Sequence, residues 1–199
     1  MTDNLFPIDA KILDRATKES LLQQRGQVIW LSGLSGSGKS TLANALERKL
    51  HSEKFATTLL DGDNIRTGLN SGLGFSDEDR AENIRRIAEV SKLFVQAGVI
   101  VINSFITPQN SLRKLARNIL GQDDLIEVFV ECSFEECERR DVKGLYAKAK
   151  AGGIPDFTGQ GSAFEIPENP DLILYTEKVS EADALETLYK FVRSRLNLK

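Results

Sequence analysis

One histidine, one tryptophan, one methionine and two cysteines are all that this chain of 199 residues holds of those types, and each scarcity excludes some chemistry. Cys132 and Cys137 are too few for a structural zinc site and read as buried or half-buried free thiols without a redox role. His51 stands beside Leu50 at the end of a helical pattern, so acid–base work must fall to carboxylates. No apolar run approaches a membrane span, and Met1 to Pro7 lacks a basic stretch followed by an apolar one; a cytoplasmic protein with no membrane partner is expected. The 26 basic and 29 acidic residues are intermixed and leave a net charge of −3. Such a mixture offers no polyanion-binding surface, so nucleic acid is not an expected partner. Internal repeats and low-complexity stretches are also lacking, and 41% hydrophobic content suits one compact domain.

Against these absences stands one dense motif. Gly33-Leu34-Ser35-Gly36-Ser37-Gly38-Lys39-Ser40 is a complete GxxxxGK(S/T) loop, preceded by the apolar run Val28 to Leu31 and followed by helix formers from Thr41 to Glu47. Strand, loop and helix come in the order that a phosphate cradle requires. The glycines let backbone N–H groups turn inward around phosphate oxygens, and the helix start adds its positive dipole end. Lys39 can reach the outer phosphates of a nucleoside triphosphate, and Ser40 supplies a hydroxyl to Mg²⁺.

Further strands are predicted at Ala56 to Leu60, Val99 to Ile102, Leu125 to Val130 and Leu172 to Leu174. Helices are predicted at Ser76 to Gln96, Gln109 to Leu120, Phe134 to Arg140, Lys143 to Ala151 and Ser180 to Leu196. Alternating strands and helices imply an α/β fold, a P-loop NTPase-like parallel sheet covered by helices on both faces. Ligands of such sheets lie beyond the carboxyl ends of the strands. Residues 1–25, with Ile8, Ile12, Leu13, Leu21 and Leu22, read as an N-terminal helical extension, and 26–199 as the catalytic domain. Between Gly152 and Pro170 lie four glycines and three prolines. With Phe157 and Phe164 inside it, that stretch reads as a binding loop, part of a lid at about 143–170.

Asp61-Gly62-Asp63-Asn64-Ile65-Arg66 puts two carboxylates and a guanidinium at a strand end. Asp61 is the first candidate for holding Mg²⁺ or accepting the proton of an attacking hydroxyl, and Asp63 the second. Ser76 with Asp77, Glu78 and Asp79 is a helix-start signature, so those acids are structural. Arg80 and Asn83, three apart, share a helical face and can address one ligand, whereas Arg85 and Arg86 read as a solvated face.

These residues resemble the adenylylsulfate kinases, which phosphorylate the ribose 3′-hydroxyl of adenosine 5′-phosphosulfate (APS). The matching motifs are the loop Gly33 to Thr41, Leu60 to Arg66, Gly74-Phe75-Ser76, Asp79-Arg80, Glu82 to Arg86 and Phe105-Ile106. They continue with Arg140-Asp141, Lys143 to Tyr146, Phe157-Thr158-Gly159 and Pro167 to Pro170. The resemblance implies that Arg66, Arg80 and Asn83 bind the phosphosulfate, with Ile106 also at the acceptor, and that Phe75 and Phe164 sandwich its adenine. Thr41 would belong to the ATP loop, Arg140 would stack on the adenine of ATP, and Lys143, in a mobile lid, would approach the anions. Thr107 stands where members have the serine assigned as a phosphorylated intermediate. It keeps a hydroxyl and so remains a catalytic candidate, although direct in-line transfer is the favoured route. Thr67, Gln109, Asn110 and Val142 also depart from the family pattern. A homodimer and a functional link to an ATP sulfurylase are implied as well. The competing readings are another small-molecule P-loop kinase, acting on a nucleoside or a sugar acid, and a non-catalytic nucleotide-binding partner of ATP sulfurylase.

Overall fold

The computed structural model describes residues 4, 6, 8, 11–154, 157–160 and 162–196; the parts of the predicted extension, lid and C-terminus that fall on other residues lie outside the described ones. Five strands, β1 (Val28–Ser32), β2 (Thr57–Asp61), β3 (Ile100–Ser104), β4 (Leu125–Glu131) and β5 (Leu172–Tyr175), form one sheet in the order β2-β3-β1-β4-β5. Every pairing is parallel. The central strand β1 is buried along its whole length, as expected of a strand covered on both faces.

Alternation along β1 divides the core in two. Ile29 and Leu31 face α2 (Lys39–Ser52) and α8 (Glu181–Arg193), packing with Leu42, Leu46, Leu188 and Val192. Val28 and Trp30 face α4 (Asp77–Gln96) and α5 (Asn110–Leu120), packing with Ile84, Ile87, Leu112 and Ala116. A third cluster joins Cys132 and Cys137 to Tyr146, Ala149 and Phe157 at the root of the expected lid. Both thiols are free and buried, and burial with the neighbouring Cys132 pushes the Cys137 thiol up to about 12.

The helix starts follow their caps. Ser76 accepts from the Asp79 N–H and Ser180 from the Asp183 N–H, so α4 and α8 each begin one residue after the serine. Helix α6 (Phe134–Arg140) is capped by Ser133. The basic helix α7 is shorter than its sequence pattern, Leu145–Lys150, because Gly144 precedes it in the left-handed region, at φ 66°. One helix had no periodic signal: α3 (Gly62–Thr67) follows β2 directly, started by Asp61, whose carboxylate accepts from the Asp63 N–H.

Helix α1 (Arg15–Leu22) buries none of its side chains, and Ile8, Ile12, Leu13 and Leu21 are exposed. Beside half-buried Leu22, which lies against Gly98, polar contacts hold it. Arg15 donates to both carboxylate oxygens of Asp124 at 2.6 and 2.8 Å and to the Gly26 carbonyl at 2.8 Å.

Candidate active site

Because all five strands run the same way, the loops after β1, β2 and β3 meet at one edge of the sheet. Gly33 has φ 149°, and a Cβ there would stand 2.4 Å from the Val130 carbonyl oxygen; Gly36 has φ 80°, and a Cβ there would stand 3.0 Å from the Cys137 carbonyl oxygen. The loop 33–38 thus needs glycine both for its turns and for its closeness to β4 and α6. Three outer contacts hold its backbone. Tyr146 donates its hydroxyl to the Ser35 carbonyl at 2.7 Å, Thr176 donates to the Ser37 carbonyl at 2.7 Å, and Arg140 reaches the Gly36 carbonyl at 3.5 Å. Arg140 is itself fixed by Glu136 at 2.8 Å and the Thr176 carbonyl at 2.9 Å.

Lys39, in the first turn of α2, is buried and donates to the Leu34 carbonyl at 2.6 Å. Burial pushes its ammonium down to about 8. Beside it, Ser40 Oγ donates to Asp61 Oδ2 at 2.7 Å and lies 3.2 Å from Ser104 Oγ. Two hydroxyls and a carboxylate are hard oxygen donors, a set that fits Mg²⁺ when completed by phosphate oxygens and water. Asp61 thus caps α3 with Oδ1 and meets Ser40 with Oδ2. Asp63, whose side chain is 71% exposed, pairs with Lys143 at 2.5 Å. The lid lysine and the second strand-end carboxylate are therefore already together.

A second group lies on α3 and α4. The Arg66 guanidinium stands 4.4 Å from the centre of the Phe75 ring and that of Arg80 5.9 Å from it. Arg66 donates to the Gly74 carbonyl at 2.7 Å; Arg80 donates to the Phe75 carbonyl at 2.8 Å and to Thr158 Oγ1 at 3.2 Å. Burial first, then the neighbouring Arg80, lowers the proton affinity of Arg66. Two guanidinium groups in mutual repulsion form a seat for an anion. Phe75 is 59% exposed, more than an ordinary packed phenylalanine needs. Asn83 is buried on the same helix and accepts from Asn70 at 3.0 Å.

Phe164 stacks on Phe129 with ring centres 5.9 Å apart and has the Arg113 guanidinium 5.6 Å away. It lines a cavity of about 310 Å³ together with Leu34, Phe129, Phe134, Gly159 and Ile166. Among the described residues its ring makes no contact with that of Phe75, so the structure does not itself bring the two rings together. Ile106 contributes its carbonyl to the Gly33 N–H at 3.3 Å, and Thr41 lies exposed in the first turn of α2.

Thr107 is not brought into either group. It is 2% exposed, and its hydroxyl accepts from the Trp30 indole N–H at 2.9 Å. The structure thus gives it a place in the core, with its hydroxyl occupied by Trp30. Three residues that hold the site were given no role of their own from the sequence: Ser104, Tyr146 and Thr176. Ser104 was within reach, since it ends a strand at the ligand edge. Tyr146 and Thr176 act through carbonyls more than a hundred residues away and leave no local signal.

The model of the adenylylsulphate kinase family matches residues 25–175. An adenylyl-sulfate kinase of Bacteroides thetaiotaomicron is 53% identical over 197 residues, covering 99% of this chain and 98% of the relative. The APS kinase of Mycobacterium tuberculosis, solved in complex with AMPPNP and APS, superposes with a TM-score of 0.79 at 45% identity, covering 85% of this chain and 98% of the other. A hexameric APS kinase from Thiobacillus denitrificans superposes with a TM-score of 0.64 at 27% identity, covering 86% of this chain and 29% of that one.

Proposed function

The chain belongs to the adenylylsulphate kinase family, and from that premise we propose how its own residues divide the work. The protein transfers the γ-phosphoryl group of ATP to the 3′-hydroxyl of APS, giving ADP and 3′-phosphoadenosine 5′-phosphosulfate. Gly33 to Thr41 hold the triphosphate, with Lys39 turning from the Leu34 carbonyl to the outer phosphates, and Arg140 lies against the adenine of ATP. Arg66, Arg80 and Asn83 take the phosphosulfate, and Phe75 and Phe164 close on the acceptor's adenine, with Ile106 beside it. One observation carries this reading: the two arginines crowd over an exposed aromatic ring at the same sheet edge as the phosphate loop.

Ser40 and Asp61 would hold Mg²⁺, which supplies charge neutralisation to the triphosphate. Asp61 has both carboxylate oxygens engaged, whereas Asp63 is open to solvent apart from Lys143. We therefore assign Asp63 to receive the proton of the 3′-hydroxyl, while Lys143 leaves it for the transferred phosphoryl oxygens. The lid is the segment 143–170, and residues 1–25 form an extension outside the reaction. A homodimer, which the family resemblance implies, belongs to the same reading, and sedimentation tests it.

Coupled ADP-release measurements with APS against a panel of nucleosides and sugar acids test the assignment. Turnover is expected with APS alone and lost in Lys39→Ala without loss of fold by circular dichroism. Equal turnover with a sugar acid would refute it.

A further inference from the structure

Asn83 is tied to the rest of the site by one hydrogen bond, and that bond has a direction. Asn70 Nδ2 donates to Asn83 Oδ1 at 3.0 Å, so the carbonyl end of the Asn83 amide is occupied. No described residue accepts from Asn83 Nδ2, and that nitrogen is not sealed from solvent. The donor end is therefore the free end. Phosphate and sulfate oxygens accept hydrogen bonds and donate none, so an amide turned the other way would set a carbonyl oxygen against them.

The Asn70 side chain makes no other hydrogen bond among the described residues. It is wholly buried, and its own Oδ1 is sealed without a partner. A leucine of similar volume would fill the space without leaving that carbonyl unsatisfied. Its backbone is held on both sides: its N–H donates to the Ile65 carbonyl at 3.0 Å, and its carbonyl accepts from the Leu73 N–H at 3.0 Å. The same turn supplies a carbonyl to Arg66, from Leu73 at 3.1 Å. The turn after α3 thus fixes one arginine and one asparagine of the acceptor group together.

We propose that Asn70 is a positioning residue that sets the polarity of the Asn83 amide, so that Asn83 presents its N–H groups to the anionic end of the acceptor. This rests on the reading of Asn83 as an acceptor ligand. Acceptor and ATP titrations of Asn70→Leu, Asn83→Ala and the double variant separate the two. Each single variant is expected to raise the KM for APS by about tenfold, the order of one charge-assisted hydrogen bond, with the KM for ATP unchanged. The double variant is expected to be no worse than Asn83→Ala. Asn83→Ala with an unchanged KM for APS would remove the ligand reading, and the inference with it. Asn70→Leu with an unchanged KM, or a double variant showing the product of both losses, would overturn the inference alone. If Asn70→Leu does not fold, the unmutated protein decides. Saturation with APS is expected to shift the side-chain amide resonances of Asn83, assigned by their loss in Asn83→Ala, while those of Asn70 stay protected from solvent exchange. An exchanging Asn70 amide, or an unmoved Asn83 amide, overturns the proposal.

Discussion

Lys39 was legible in the sequence as the lysine of the phosphate loop, but its proton affinity was not, because burial is set by chain segments far from residue 39. With its ammonium pushed down to about 8, Lys39 is protonated in the free protein only below that pH, whereas a bound triphosphate favours the charged form. ATP affinity is therefore constant below about pH 8 and falls above it, by about tenfold per pH unit until the lysine of the complex also titrates. Equilibrium ATP titrations between pH 7 and pH 9.5 check this; a flat profile would contradict it. Thr107 is the opposite case. Its sequence neighbours matched a phosphorylated-residue position, yet Trp30, 77 residues away, takes the hydroxyl, and no local pattern reports such a partner. Thr107→Val is expected to keep turnover while costing about 1–2 kcal/mol of stability, since the buried indole N–H loses its acceptor. Turnover and urea unfolding of one sample measure both, and loss of turnover at full stability would restore a chemical role.

At the scale of elements, helices of ten or more residues were readable from their apolar spacing, and in α4 and α8 a serine cap agrees with it, as Ser76 does with Ile84 and Ile87. Helix α3 was not, since six residues are too few to show a period. Yet α3 carries Arg66 to α4's Arg80. Removing one member of that pair should act on the acceptor alone: Arg80→Ala is expected to raise the KM for APS more than Phe164→Ala does. Phe164→Ala, which loses stacking, should cost about 1–3 kcal/mol of acceptor affinity, and both should leave ATP affinity in place. Titrations of both substrates decide, and loss of ATP affinity in both variants would move the group to the donor site. Helix α7 meets the phosphate loop through one hydroxyl, that of Tyr146, whose ring packs edge-on against Phe134 and Phe157. Tyr146→Phe keeps the ring and removes that tether. The expected result is a raised KM for ATP with kcat nearly unchanged; an unaltered KM would show that α7 does not set the loop.

The whole molecule separates chemistry from anchorage through the polarity of its sheet. Parallel strands were legible from the alternation of elements, but the order β2-β3-β1-β4-β5 was not, because it depends on pairings between distant segments. Every site group lies at or beyond the strands' carboxyl ends. The amino ends are stitched by α1 and the residues just after it. Gln24 bonds the Ala56 and Gly98 carbonyls ahead of β2 and β3, Glu19 accepts from the Gly26 N–H ahead of β1, and Arg15 clasps Asp124 ahead of β4. The Arg15 pair is two-pronged and partly shielded, with side chains 21% and 18% exposed, so it outranks an ordinary surface ion pair. Arg15→Ala is expected to cost about 2 kcal/mol, which lowers the melting temperature of a chain this size by roughly 4–8 °C. Turnover and the KM values for ATP and APS are expected to stay at their original levels, because the lost contacts lie at the end of the sheet away from the site. Thermal unfolding beside steady-state kinetics tests both halves. A variant that melts normally but turns over slowly would show that the extension reaches the active edge, and the separation of the two ends would fail.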